Sequence, residues 1–162
     1  MKLCPETFPV IMCHEGIAAS AMDHGSQAIN LENANGVLFI LSHATGTDVD
    51  MVLTINEGAT AAECNAATYP LTTGAEFPIW VTANCATTDV PAKQTDAVTY
   101  TIDAGVLTGT SLVQMYVPAA KLTAGRTFVS VGSTGGGTGL VALCAIIDGG
   151  RYQQAEPPTV IA

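Results

Sequence analysis

The sequence predicts an all-β fold: an antiparallel β-sandwich or jelly-roll-like barrel of about seven to eight short strands, with an irregular N-terminal arm and a C-terminal tail. Three observations carry this reading. Apolar and polar residues alternate with the period of two that a half-buried strand requires, as at Val49, Met51, Leu53 and Ile55. Turn-forming residues recur every 8–15 positions. No strand-like run is followed by a 10–15-residue amphipathic helical pattern, which disfavours a βαβ architecture.

Taken in order, residues 1–25 show little pattern, because Pro5, Pro9, Gly16 and Gly25 interrupt short apolar pieces. They read as an irregular arm whose run Val10, Ile11, Met12 and Cys13 needs cover, from the chain's own sheet or from a neighbour. Strand periodicity sets in at Ser26, and residues 26–150 read as the sandwich domain. Asn35-Gly36 is a hairpin signal, since both residue types tolerate positive φ. Residues 37–43 are apolar enough for a central strand, and residues 49–56 alternate as a half-buried one.

Residues 61–66 suit one short helix. The strand over 77–82 opens on Pro78, which places that point at a strand start or a sheet edge. A polar loop over 84–94 precedes strands over 98–102 and 112–117, the second stopped by Pro118 before a helical turn at 119–122. Residues 127–132 and 140–147 read as a final hairpin with Gly135, Gly136 and Gly137 at its tip. Residues 151–162 form a tail containing Arg151, Tyr152 and Pro157.

A chain of 162 residues makes one domain with one core. Its apolar fraction of 48% is ordinary, but charged residues make up only 12%, about half the usual share. Thr, Ala, Asn and Gly must then supply much of the surface, and such a surface meets neighbours with little charge to desolvate. Five basic residues against 14 acidic ones give a net charge of −9. That repels a nucleic-acid backbone, so no direct nucleic-acid partner is expected. The apolar runs are strand-length, well short of a membrane-spanning helix, and residues 1–13 lack the pattern of a signal peptide.

No motif points to catalysis, a cofactor or a metal. The run over 132–139, Gly-Ser-Thr-Gly-Gly-Gly-Thr-Gly, has no following Lys and leads into a strand, unlike a phosphate-binding loop. Cys13, His14 and Glu15 are adjacent, and neighbours in extended chain point to opposite sides. Asp48 and Asp50 share a strand face and read as solvated; no aromatic groove is evident beside them. His43 reads as a satisfied polar residue at a sheet margin, Trp80 and Tyr100 as core, and Tyr116 and Tyr152 as interface residues. Five cysteines without CxxC spacing argue against a disulfide framework; Cys144 reads as a buried apolar residue, and Cys64 and Cys85 as free thiols or a pair.

Gly46-Thr47-Asp48-Val49-Asp50-Met51-Val52-Leu53, Leu112-Val113-Gln114-Met115-Tyr116-Val117, the run over 122–131 and the closing Arg151-Tyr152 together resemble small virion proteins of tailed bacteriophages. The resemblance is to capsid decoration (cement) proteins or other head-associated proteins. It implies a non-enzymatic subunit on the capsid surface, assembled in the host cytoplasm, that bridges capsomers of the major capsid protein as a dimer or trimer. The alternative is a carbohydrate- or receptor-binding sandwich module of a tail or surface structure. On the first reading the expected contact residues are Val10, Ile11 and Met12, the Gly135-Gly136-Gly137 tip, and Arg151, Tyr152 and Pro157.

Overall fold

The computed structural model describes residues 10–18, 28–44, 50–72, 74–103, 109–135, 137 and 139–150. Their strands form two antiparallel sheets. The six-stranded sheet runs, from edge to edge, β1 (Val10–Ala18), β10 (Leu140–Gly150), β3 (Ala34–His43), β8 (Ser111–Pro118), β5 (Ile79–Thr82) and β6 (Ala92–Lys93). The four-stranded sheet runs β2 (Ile29–Asn30), β9 (Phe128–Gly135), β4 (Met51–Gly58) and β7 (Thr99–Ile102). The architecture is sandwich-like, as predicted, and neither sheet closes into a barrel.

The inward residues of both sheets build one core. Phe39, Leu41, Met115 and Leu143 from the larger sheet meet Leu53, Ile55, Val129 and Val131 from the smaller one, all essentially excluded from solvent. Phe77, just ahead of β5, joins them through a bridge to Ala97. Burial of this apolar surface is the main stabilising term.

Three expectations need correcting. Residues 10–18, read as part of an irregular arm, form the edge strand β1 on β10. Its register shifts between Met12 and His14 and between His14 and Ile17. Each irregularity breaks the period-two pattern, which is why the stretch shows none in sequence. Second, Asn35-Gly36 is not a hairpin turn but the start of β3, because β2 and β3 belong to different sheets. Glycine is needed at 36 for space: a Cβ there would lie 2.6 Å from the Val117 carbonyl oxygen and 2.8 Å from the Tyr116 hydroxyl.

Third, β9 and β10 are not a hairpin. They lie in opposite sheets, so the connection between them changes layer. Gly135 ends β9 at φ +80, with the Asp50 carbonyl oxygen where a Cβ would project, so a side chain is excluded there twice over. The short helix α1 (Ala61–Asn65) and the 3-10 turn Ala119–Lys121 fall where the sequence placed helical turns.

Candidate functional site

The two sheets differ in what they show to the outside. In an antiparallel pair, residues directly opposite each other project to the same face, so the register fixes the composition of each face. On the outside of the six-stranded sheet one row runs Val10, Ile146, Leu38, Tyr116. The next runs Met12, Cys144, Ile40, Gln114, Trp80, Lys93. A third runs Ala142, Ser42, Leu112, Thr82. Val10 is 65% exposed, Met12 53% and the neighbouring Leu140 56%, while most of the others are half-buried by one another.

This explains the continuous apolar runs in β3 and β10. Their inward residues need the core, and their outward residues are apolar as well, although no element of the described chain covers them. At about 4.8 Å between strands and roughly 7 Å between rows, these three rows give a face of roughly 450 Å² in projection, roughly 300 Å² of it apolar, with Gln114, Lys93, Ser42 and Thr82 as its polar positions. A patch of that order is comparable to the largest apolar patch on a typical monomer, and such patches are often functional.

The outside of the four-stranded sheet is different. Its rows are Thr101, Val52, Thr134 and Thr99, Thr54, Gly132. Beyond them Asn56 and Ser130 lie under α1. Thr60 caps that helix by accepting a hydrogen bond from the Glu63 N–H at 3.2 Å, and Glu63 accepts one from the Ala59 N–H at 3.0 Å. Cys64 faces down from α1, its thiol donating to the Asn56 carbonyl at 3.3 Å and to the Ser130 hydroxyl oxygen at 3.2 Å. Burial pushes the Cys64 thiol up to about 11, so it stays protonated as a donor.

Within the apolar face is one groove of about 320 Å³, lined by Leu38, Trp80, Pro91, Gln114 and Tyr116. The Tyr116 hydroxyl donates to Asp148 at 2.6 Å, and burial together with this carboxylate raises its pKa to about 12. The phenol is therefore a fixed, neutral wall of the groove. Lys93 is paired with Asp96 at 3.3 Å at the sheet's far edge. Trp80 thus lies on the outer face and not in the core, whereas Tyr100 packs on the core as predicted. Cys144 is half-exposed on this face and not buried, because its neighbours in β10 alternate between the two sides.

Two buried polar groups sit apart. His43 and Ser111 are cross-strand partners facing inward at one end of the six-stranded sheet, 5% and 0% exposed. Neither His43 Nδ1 nor Ser111 Oγ has a hydrogen-bond partner among the described residues, so His43 is not the satisfied margin residue expected. Burial lowers the His43 pKa and keeps the ring neutral. Ser111 is closed to solvent.

At the opposite end of the smaller sheet, Glu57 is buried and fully engaged. It accepts from the Thr123 N–H at 2.8 Å, the Thr123 hydroxyl at 2.6 Å and the Arg126 guanidinium at 2.8 Å. Arg126 in turn stacks 3.6 Å from the Tyr69 ring centroid. Burial alone would raise the Glu57 pKa, but the hydrogen bonds from Thr123 and then Arg126 outweigh it and hold the carboxyl below its usual value. This is a structural clamp joining β4 to the 123–127 turn.

Of the expected contact residues, Val10 and Met12 are exposed on the apolar face, while Ile11 points inward and packs on the core. Gly135 and Gly137 lie at the crossover between sheets, away from that face. Gly136, Arg151, Tyr152 and Pro157, like Asp48, fall outside the described residues. Cys64 is buried and Cys85 exposed, and both are free. No group of His, Cys, Asp or Glu among the described residues is arranged to hold a metal ion. No protein-family profile matches the chain, nor does any curated protein or solved structure.

Proposed function

We propose that this protein is a structural, non-enzymatic subunit that works by being built into a larger protein assembly, with the outside of the six-stranded sheet as its main contact surface. The observation that supports this most directly is the contrast between the two outer faces. One is threonine-rich and partly roofed by a helix, and the other is apolar across its central strands. In the finer reading the assembly is a tailed-phage virion. The subunit then sits on the capsid, bridges capsomers of the major capsid protein and makes the shell harder to pry open. That reading rests on the sequence resemblance and on the low charge of the chain. Repeated by symmetry, many modest apolar contacts suffice for tight occupancy.

The test is co-sedimentation with particles from the native source. A fixed stoichiometry on the particle is the expected result, and a chain never found on any particle overturns the proposal. One observation favours a second reading, carbohydrate or receptor binding. Trp80, Tyr116 and the Gln114 amide line one open groove, a combination suited to a sugar's apolar face and hydroxyls. Binding of the isolated protein to a glycan array, lost in Trp80→Ala, would select it.

A further inference from the structure

The apolar face raises the question of what covers it first. We infer that its partner is a second copy of this chain, the two six-stranded sheets packing face to face about a two-fold axis; this rests on the assembly reading above and names the partner of that surface.

Charge is the first argument. The chain carries −9, so two copies repel each other wherever their carboxylates meet. The outer face of the larger sheet is nearly free of charge. Among the described residues its register rows carry Asp148, engaged by Tyr116 at 2.6 Å, and Lys93, paired with Asp96 at 3.3 Å. Self-encounter on this face therefore meets little repulsion; the threonine rows of the other sheet are uncharged as well, but they offer a partner far less apolar surface.

Shape is the second. In the order β1-β10-β3-β8-β5-β6 the middle of the sheet falls between β3 and β8. A two-fold axis lying in the interface there, along the strands, sets β10 of one copy over β5 of the other. The aliphatic ridge of Ile146 and Cys144 then meets the partner's groove between Trp80 and Tyr116, and the same contact recurs on the other side of the axis. Gln114 lies beside the axis, so the two amides approach each other. An amide offers both donors and an acceptor, and pairs with its own copy.

Size is the third. Roughly 450 Å² in projection, before side-chain relief is counted, is over half of the roughly 800 Å² per partner of an ordinary stable interface. Two packed sheets aligned within about 30° are also a common way to bury such faces.

Light scattering and thiol labelling test this together. The full-length protein is expected to have twice the chain mass, with Cys144 protected from alkylation while the exposed Cys85 reacts. Gln114→Glu keeps the side-chain shape but sets two carboxylates at the axis, and Ile40→Glu places a charge in the middle of the face. Each is expected to weaken dimerisation by about 100-fold or more and expose Cys144, with the β-sheet circular dichroism unchanged. Thr54→Glu, on the other sheet's outer face, is expected to leave the dimer intact.

A wild-type monomer, or a dimer in which Cys144 stays reactive and Gln114→Glu changes nothing, overturns the inference. If such a monomer binds particles and Cys144 becomes protected there, self-pairing fails while the assembly reading stands. A dimer with Cys144 protected that never joins a particle leaves self-pairing standing and removes the assembly reading.

Discussion

The four-stranded sheet is partly roofed by its own chain, and among the described residues the six-stranded sheet is not. On the smaller sheet Glu57 accepts from Thr123 and Arg126, while Cys64 and Ser130 bond to each other beneath α1. What remains of its outer face is threonine, comfortable in water. Buried polar atoms without described partners occur on both sides, at His43 and Ser111 in the larger sheet and at Asn65 in α1, but only the larger sheet turns apolar rows outward. The apolar fraction is ordinary at 48%, but only 12% of residues are charged, so little charge is available to cover the outer faces. The topology turns the apolar outward rows to one side. On the proposed reading, that asymmetry separates the surface offered to a partner from the one offered to solvent.

Glu57 provides the largest test of the roofed side. Glu57→Ala removes the acceptor for three donors and strands Arg126, and is expected to destabilise the fold by about 3–5 kcal/mol in urea unfolding. A loss under about 1 kcal/mol would mean the clamp is replaceable by water and the two sheets are less different than they look. The same group sets an acid limit. Its folded pKa lies below the ordinary carboxyl value of 4.5, so its contribution is present above that pH and disappears as pH falls through the folded value.

Two aromatics separate the sheets by readout. Trp80→Ala strips the groove on the outer face and is expected to cost association about 2 kcal/mol, roughly 30-fold in dimer affinity, with little change in unfolding. Tyr100→Ala, on the inner side of β7, should do the reverse and lower stability without touching the dimer. Equal effects of both on unfolding, with none on association, would place Trp80 functionally in the core after all.

Much of this was legible in the sequence, and the misses have physical causes. The strands of β4, β8 and β7 declare themselves by period two, and Pro118 and the Ala-rich 61–66 mark the helical turns. The face assignment in β3 and β10 was not legible, because a run apolar on both sides has no period. Cys144 in β10, and Trp80 in the likewise apolar run of β5, therefore read as core in sequence, when each belongs to the outward set. The β2–β3 and β9–β10 connections carry strong turn residues, Asn35-Gly36 and the glycines at 135–137. Local turn chemistry does not say whether the next strand pairs with its predecessor or crosses to the other sheet. The Glu57 clamp joins residues 66 to 69 positions apart, beyond any local pattern.

His43 tests the unroofed side from within. Its folded pKa lies below the ordinary 6.5, so between the two values the unfolded chain binds a proton that the native chain does not. Stability should then fall as pH drops through 6.5 toward the lowered value. His43→Leu removes the unpartnered Nδ1 and the titration, and is expected to gain about 1 kcal/mol at neutral pH and flatten stability across that window. A slope unchanged in the variant would locate the titrating group elsewhere.

The smallest effect concerns the roof on the smaller sheet. Thr60 satisfies one orphan N–H of a five-residue helix, so Thr60→Ala should cost about 1 kcal/mol and loosen α1 without unfolding the sandwich. The readout is Cys64, which that helix presses onto Asn56 and Ser130. Its alkylation should speed up several-fold in the variant while Cys144 is unaffected, since Cys64 lies on the helix over the smaller sheet and Cys144 on the larger sheet. If Cys64 stays protected when the cap is lost, the helix is held by its packing on β4 and β9 alone. The cover over the four-stranded sheet would then be sturdier than its length suggests, which widens the difference between the two faces.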